Sequence, residues 1–450
     1  MLTVNPVKTL QGKFDLPPSQ DLFLLAVITA IAARQKTVIS PIRESPLIKQ
    51  WCGSFGALTS FHFDSDSCTV NPITGEDSAS FLMLDYNDLP YKDLILFILL
   101  GMGKTVAFRS ISSKRIDSIR EMIRRYGADC EIKMFDDNPG ITLSKPPSVN
   151  EAFRVEEKDI SPLLGLHIGA GLPLKLQTTF PFSNPLRHLA PFFGFEINFK
   201  SAVPRETDPI FKRIKMMQSV KDQSSQGQRF TLTCDFTHPV ASEEPVGISL
   251  PGDEILSTVM LSAKCLFPKG SFVISNMPLE TWAAPAMGFI RKMGCKVSVQ
   301  ETHRTSFGSA GMFSIQKCEL VGRKIECNPS SLYSSHLPAM VVLAAFAKGQ
   351  SVFRNLQDLR NDDPDGIDQL ETCIRTLGAR HGEMPDGIVM DGGKDFDGFD
   401  LTGNIPSHIA ASFAIAGLKC LGTTTIADDA LKMRWPDFEN ILSKLCELRP

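Results

Sequence analysis

Carboxylates cluster in two short segments that could, by residue type alone, bind a metal ion. Residues 361–368 (NDDPDGID) carry four aspartates, and three or four carboxylates could ligate a divalent cation. The alternative, which we favour, is an acidic turn whose aspartates stabilise the N-terminus of the helix that runs to Leu377. Residues 391–400 (DGGKDFDGFD) are also acidic, but their spacing does not match a calcium-binding loop and predicts a surface turn.

A Gly-Met-Gly-Lys-Thr segment at 101–105 is similar to the end of a phosphate-binding loop. Such a loop needs a glycine five residues before its second glycine, and Ile98 occupies that position. The segment therefore predicts a turn from a helix into a strand. Asp253 stands at the start of an apolar helical run, and the simplest prediction for it is a helix N-cap.

The eleven cysteines and the net charge limit the classes of protein to which the chain can belong. The cysteines are scattered from Cys52 to Cys446 without a C-x-x-C pair, which predicts reduced, buried thiols rather than a disulfide framework or a zinc site. A reactive thiol is the less favoured alternative, because no cysteine adjoins an activating histidine or basic cluster. A net charge of −3 gives no support to nucleic-acid binding.

The apolar segments are too short to cross a membrane. The longest, at 22–33 and 94–102, fall short of the roughly 20 residues that a membrane span needs, so they predict buried helices. Residues 1–13 lack the charged-then-apolar profile of a signal peptide. We therefore expect a cytoplasmic protein without a membrane partner.

One pattern returns six times along the chain. An apolar helix rich in small residues ends near a glycine or lysine, and a short β-branched strand follows. A second helix comes later in each unit and ends in an apolar residue and glycine before another strand, as at Tyr126-Gly127-Ala128. Such repetition implies units that bury their faces against one another. The six helix–strand segments are 25–40, 95–109, 165–179, 259–275, 341–354 and 413–427.

The polar segments at 218–228 and 238–251 have the composition of a linker, and they separate the third unit from the fourth. This spacing predicts two domains. We expect residues 20–240 to hold units one to three, and residues 1–19 with 241–450 to hold units four to six.

Six units divided in this way resemble the enolpyruvyl-transferase family and, within it, the EPSP synthase group of the shikimate pathway of aromatic amino-acid synthesis. The resemblance covers nearly the whole chain and is best in the framework. It implies an α/β fold with two inside-out α/β barrel domains, each of three βαβαββ units, and a ligand cleft between them. The segments that carry it are 16–19 (LPPS), 348–360, 375–379 (RTLGA), 408–410 (HIA) and 435–438 (WPDF).

The family reaction joins a phosphorylated alcohol to phosphoenolpyruvate, so two anions must lie side by side. Their mutual repulsion requires a ring of lysines and arginines, and proton transfer requires an acid–base pair. The motifs that supply these groups are mostly replaced here. The family's opening Lys, Ser and Arg match Gln20, Asp21 and Leu25, and its glycine-rich loop matches 86–91 (YNDLPY). Its catalytic Asp matches Ser335, and its basic loop matches 362–366 (DDPDG). Its late Lys matches Met433.

The resemblance still leaves candidates for a site. The proton carriers that it implies are His336, Asp363 and His408, although each histidine is more often a structural residue than a catalyst. The substrate-binding candidates that it implies are Lys114, Arg115, Ser161, Asp253, Arg360, Lys432 and Arg434. We expect no cofactor and no metal. The expected partners are an anionic small molecule in the cleft or another protein, and the chain is expected to be a monomer.

Two hypotheses remain open. The slightly preferred one is a divergent member of the family, non-catalytic or altered in substrate, because the replacements cluster at chemistry positions while the framework persists. The other is a working 3-phosphoshikimate 1-carboxyvinyltransferase, or a related transferase, that uses a reduced set of charged residues.

Overall fold

A computed structural model of the chain describes residues 1–73, 79–87, 89–147, 153–155, 157–178, 184–201, 230–236, 244–280, 282–283, 285–327, 334–362 and 364–446. Helices and strands alternate along these residues. The helices are α1 Gln20–Ala33, α2 Pro46–Phe55, α3 Lys92–Gly101, α4 Ser113–Arg125, α5 Glu157–Ala170, α6 Leu186–Leu189, α7 Glu254–Leu266, α8 Pro285–Lys292, α9 Leu337–Phe346, α10 Gly366–Leu377, α11 Ser407–Lys419, α12 Asp429–Arg434 and α13 Phe438–Cys446, with 3₁₀ turns at Ala190–Phe193 and Gln357–Asn361.

The strands of the described residues are 2 to 11 residues long and lie in six separate sheets. They are β1 Leu2–Val4, β2 Lys13–Asp15, β3 Thr37–Ser40, β4 Thr59–Phe63, β5 Cys68–Pro72, β6 Phe81–Asp85, β7 Thr105–Arg109, β8 Asp129–Phe135, β9 Asn138–Lys145, β10 Phe153–Arg154, β11 Leu174–Thr178, β12 Glu196–Ser201, β13 Phe230–Asp235, β14 Val246–Ser249, β15 Val273–Pro278, β16 Cys295–Thr305, β17 Gly308–Cys318, β18 Lys324–Glu326, β19 Gly349–Arg354, β20 Arg380–Met384, β21 Gly387–Gly392, β22 Asp400–Leu401 and β23 Thr424–Ile426.

The six predicted helix–strand repeats are confirmed. They are α1–β3, α3–β7, α5–β11, α7–β15, α9–β19 and α11–β23. Local chemistry sets their ends: α3 ends at Gly101, Gly103 takes the left-handed conformation (φ 75°), and β7 begins at Thr105. The segment similar to a phosphate-binding loop is therefore the predicted helix-to-strand turn.

Each sheet repeats one pairing pattern. Its first strand pairs in parallel with the second, which pairs antiparallel with the next, as Phe81–Asp85 pairs in parallel with Thr105–Arg109 in the second unit. A strand, helix, parallel strand, helix and antiparallel hairpin make up the predicted βαβαββ unit. The sheet orders are β14-β3-β5-β4, β6-β7-β9-β8, β10-β11-β13-β12, β2-β15-β17-β16, β18-β19-β21-β20 and β22-β23-β1.

Three strands are supplied from distant parts of the chain. Val246–Ser249 (β14), which the predicted boundaries give to the second domain, pairs in parallel with β3 in the sheet of the first unit. Lys13–Asp15 (β2) completes the fourth unit, and Leu2–Val4 (β1) completes the sixth. The chain therefore passes between the two sets of units twice, once after β2 and once after β14.

Two hydrophobic cores underlie the two sets of units. The first half of the molecule surrounds a core of α1, α3 and α5, and the second half surrounds a core of α7, α9 and α11. The α1 and α7 helices are buried along their whole length, so the first helices of these units lie inside and the sheets lie outside. Small residues permit this packing: a Cβ at Gly169 in α5 would collide with the carbonyl oxygen of Ile98 in α3.

Nine cysteines are free thiols in the structure, as predicted. Cys295 and Cys318 differ, because they lie opposite each other in the β16–β17 hairpin and their sulfurs are joined in a disulfide. The prediction of reduced thiols throughout is therefore wrong for this pair. No helix in the described residues is long and apolar enough to cross a membrane.

Candidate functional site

The two segments that connect the halves lie side by side. The backbone N–H of Ser19 donates to the carbonyl of Pro251 (2.9 Å), and that of Asp253 donates to the carbonyl of Pro17 (2.8 Å). Directly after these crossings the chain enters α1 and α7. Ser19 caps α1 through Leu22 N–H, and Asp253 caps α7, as predicted. The crossings therefore hold two buried helix N-termini together between the halves.

A cavity of about 230 Å³ lies between the halves next to these N-termini. The first half lines it with the loop before α3, with α4 and with the start of α5. The second half lines it with the start of α7, with the residues before α9 and with the 3₁₀ turn at Gln357–Asn361. The described residues that line it include seven carboxylates, Asp21, Asp93, Glu121, Asp159, Glu254, Asp358 and Asp362, and three cations, Lys92, Arg115 and Arg125.

Arg115 is one of the predicted substrate-binding residues, and a carboxylate already binds it. Its Nη2 donates to Asp93 Oδ1 at 2.5 Å and its Nε to the Tyr86 hydroxyl at 2.7 Å. Tyr86 in turn donates to Asp93 Oδ1 (3.2 Å). Both charged side chains are about 15% exposed, so the pair is shielded from water. An incoming anion would have to displace Asp93 from Arg115.

The other two cations of the cavity are also paired. Lys92 Nζ lies 3.7 Å from Asp362 Oδ1 and over the ring of Tyr86. Arg125 lies 3.1 Å from Glu121 and 3.4 Å from the buried Asp159. Each cation that the structure describes in the cavity wall therefore has a carboxylate of the same wall as its partner.

Arg434 lies buried behind the cavity wall. Its Nη2 donates to Asp21 Oδ1 at 2.5 Å and lies 3.7 Å from Asp253 Oδ2, which also accepts from Trp435 Nε1 (3.1 Å). Burial raises the pKa of Asp21 to about 6; Arg434 opposes this shift and the negative charge of Asp253 adds to it. One arginine thus serves two buried carboxylates.

Glu254 lies beside this group, with both carboxyl oxygens hydrogen-bonded. Ser19 Oγ donates to Oε2 (2.6 Å), and the Tyr91 hydroxyl of the first half donates to Oε1 (2.8 Å). Burial, and then the charges of Asp21 and Asp253, raise the pKa of Glu254 to about 8. The Glu254 carboxyl therefore keeps its proton to a higher pH than an exposed glutamate does.

The two predicted histidines lie close to this region. His336 is buried, lines the cavity and shares a hydrogen bond with Thr258 Oγ1 through Nδ1 (2.8 Å). Loss of solvation and the nearby Arg434 lower its pKa to about 3. Loss of solvation, Arg434 and Lys92 likewise lower the pKa of His408 to about 3. Both shifts favour the neutral form of the imidazole ring at pH 7.

The remaining predicted residues are placed unevenly. Ser161 lines the cavity and accepts from Asn184 Nδ2 (3.0 Å). Lys114 is exposed on α4, and Lys432 pairs with Asp428 on the surface. Neither lines the cavity, and Asp363 lies outside the described residues.

Arg360 also lies outside the cavity wall. It pairs with Glu383 and Asp365, and Asp365 caps α10 through the N–H groups of Ile367 and Asp368, as predicted for the acidic turn. The segment that the resemblance matched to the family's basic loop therefore contains a helix cap and ion pairs in this structure.

Asp93 and Glu254 belong to this site but were not predicted from the sequence, and Tyr91 was noted only as the end of the segment 86–91. Glu254 could have been noticed, because it directly follows the predicted N-cap Asp253 at the start of a helix. Asp93 is the second residue of an apolar helix, and an acidic residue in the first turn ordinarily stabilises the N-terminus of its helix. Only the fold brings it to Arg115.

Comparisons with known proteins agree with this architecture. A family sequence model described as EPSP synthase (3-phosphoshikimate 1-carboxyvinyltransferase) matches residues 212–442, about half of the chain. A 3-phosphoshikimate 1-carboxyvinyltransferase of Roseiflexus castenholzii is 28% identical over 218 residues, 48% of this chain and 51% of that relative. One of Acetivibrio thermocellus is 30% identical over 203 residues, 44% of this chain and 45% of the relative. The chain thus spans about half the length of these curated relatives.

Two solved structures are similar over nearly the whole chain. The EPSP synthase of Acinetobacter baumannii superposes with a TM-score of 0.65 at 16% identity and covers 99% of this chain and 98% of that one. The enolpyruvyl transferase NikO of Streptomyces tendae superposes with a TM-score of 0.64 at 16% identity, and the match covers 99% of this chain and 97% of that one. This likeness confirms the predicted fold of two inside-out α/β domains with a cleft between them.

Proposed function

We propose, from the premise that this chain belongs to the EPSP synthase family, that its cleft does not hold phosphoenolpyruvate and shikimate-3-phosphate together. The chain would then be a divergent member that is non-catalytic or acts on a different ligand. One observation carries the proposal: the three cations described in the cavity wall are each paired with a carboxylate of that wall, and the carboxylates number seven.

Electrostatic repulsion between the two family substrates must be balanced by cations of the protein. Two unit charges of like sign 4 Å apart repel by about 4 kcal/mol at an effective dielectric constant of 20. Two phosphorylated ligands side by side carry several such charges, so they need unpaired cations around them. In this cavity an anion would also have to displace Asp93 from Arg115 or Asp362 from Lys92. A ligand that is uncharged or positively charged would meet no such cost.

The second candidate is a working transferase with a reduced set of charged residues. The observation in its favour is that Arg115 lines the cavity while Arg434 and the neutral His336 lie in or directly behind its wall. If an anion displaced Asp93, Arg115 could bind a phosphate or carboxylate in a bidentate manner. Glu254 could then supply a proton to the enolpyruvyl methylene carbon.

Phosphate release separates the two candidates. The chain is incubated with phosphoenolpyruvate and shikimate-3-phosphate, and the Roseiflexus castenholzii relative serves as the positive control under the same conditions. We expect no release above background from this chain. Turnover within tenfold of the control would overturn the proposal in favour of the second candidate.

Calorimetry tests binding apart from turnover. We expect no joint binding of the two anions by the natural chain. The Asp93→Asn variant should gain measurable affinity for phosphoenolpyruvate, because it frees Arg115 while keeping the size of the side chain. Asp64→Asn, an exposed aspartate in the first half, is the matched control and should gain nothing. Tight joint binding by the natural chain would contradict the proposal.

A further inference from the structure

Charged and polar groups of the two halves contact one another across the cleft. Lys92 of the first half lies 3.7 Å from Asp362 of the second, and both side chains are about one-quarter exposed. Next to this pair, Ser112 Oγ at the start of α4 donates to the carbonyl of Asn361 (2.9 Å). The start of α3, the start of α4 and the 3₁₀ turn of the second half thus meet directly.

A second set of contacts lies beside the crossing segments. Asp21 of the first half accepts from Arg434 of the second at 2.5 Å, and both are buried. The Gln20 side chain donates to the carbonyl of Arg434 and accepts from Ser45 Oγ (2.7 Å). The hydrogen bond from Tyr91 to Glu254 also joins the halves.

The signs of these charges matter for the arrangement of the halves. A cleft lined with unpaired cations on both sides is repelled open until anions enter it. Here each half offers a cation to a carboxylate of the other: Lys92 to Asp362, and Arg434 to Asp21. The two halves therefore attract each other even when no ligand is bound.

We propose that Asp362 and Asp21 act as built-in counter-anions, which hold the two halves closed around the cavity when no ligand is bound. This inference goes beyond the proposed function, because it concerns the empty protein. It is tested without any measurement of turnover, so its failure and the failure of the proposed function are distinguishable.

Small-angle X-ray scattering of the full chain measures the closure. A compact chain of this length has a radius of gyration of about 22 Å. We expect the natural chain to have about this radius without ligand, and a clearly larger radius would overturn the proposal whether or not anions bind. Adding inorganic phosphate and phosphoenolpyruvate should not reduce the radius further. A contraction on adding these anions would overturn the proposal.

Charge reversal tests the outer pair. Lys92→Asp and Asp362→Lys should each open the cleft and raise the open-to-closed ratio roughly tenfold, and the double variant should close it again. Lys133→Glu and Glu131→Lys are the matched controls, because this exposed pair lies within the first half (3.0 Å). Single reversals that stay folded by circular dichroism and keep the natural radius would overturn the proposal.

Milder variants guard against misfolding. Lys92→Met and Asp362→Asn remove one charge each, and hydrogen exchange at residues 91–95 reports local opening of the cleft. We expect exchange there to speed up about threefold to tenfold while amides of the outer sheets stay unchanged. Unchanged exchange at residues 91–95 in both variants would contradict the proposal.

Discussion

Replacing Arg434 with methionine should be among the most destabilising single changes in the protein. The arginine is 8% exposed and faces two buried carboxylates, with Nη2 at 2.5 Å from Asp21 and 3.7 Å from Asp253. Methionine keeps much of the volume but leaves both carboxylates without a cation. Removing one partner of a buried ion pair costs about 3–5 kcal/mol, because the remaining charge stays buried and unpaired.

Urea unfolding followed by tryptophan fluorescence measures this loss. Trp435 is a suitable reporter, because its ring lies 5.0 Å from the Arg434 guanidinium and its Nε1 donates to Asp253. The matched control is Arg304→Met, which breaks an exposed ion pair with Glu301 and should lower the free energy of unfolding by less than about 1 kcal/mol.

A second substitution isolates the cause. Asp21→Asn in the Arg434→Met background removes one of the unpaired charges and should restore about 1–2 kcal/mol at pH 7. The deficit of Arg434→Met should also be smaller at pH 5, where Asp21 binds a proton. If Arg434→Met lies within 1 kcal/mol of the natural protein, or if Asp21→Asn restores nothing, the reasoning is refuted.

Three further changes probe the rest of the structure. The pKa of Glu254 is raised to about 8 in the folded state, so the free energy of unfolding falls as the pH rises from 4.5 to 8. Glu254→Gln should flatten the urea midpoint as a function of pH over this range. An unchanged slope would contradict the raised pKa of Glu254. Gly169→Ala should lower the thermal midpoint by several degrees, because its Cβ meets the Ile98 carbonyl, whereas Gly53→Ala has open space and should not. Asp365→Ala should lower the free energy of unfolding in urea by about 1 kcal/mol, because it removes the N-cap of α10. Asp368→Ala, at an exposed position in the same helix, serves as the comparison.

Much of the fold could be predicted because it depends on local chemistry that repeats. Each helix–strand unit carries its own signals, namely small residues, a terminal glycine and a β-branched strand, as at 95–109. The pairing of the strands supplied from distant segments could not be predicted from local sequence signals. Val246–Ser249 has an ordinary strand sequence, and only tertiary packing decides that it pairs with β3.

The site was less predictable than the fold. The sequence predicted that most basic residues of the family motifs are replaced, and it placed Arg115 and Arg434 among the binding candidates. Their partners were not visible, because Asp93 and Asp21 lie in other helices at separations of 22 and 413 residues. Charge pairing over such distances depends on how helices approach one another, which no local pattern records. The substrate roles given to Lys114, Arg360 and Lys432 stay predictions, with all three side chains outside the cavity wall.

The strands borrowed from distant segments also decide the order in which a newly made chain can be completed. The sheet of the first unit lacks its edge strand until Ser249 has left the ribosome. Lys13–Asp15 must wait for β15, which ends at Pro278, and Leu2–Val4 must wait for β23, which ends at Ile426. These two strands are therefore made long before the strands with which they pair. The segment at 2–15 has no strand partner until these later segments have been made, and the second half completes the sheet of its sixth unit only after Ile426 has been made.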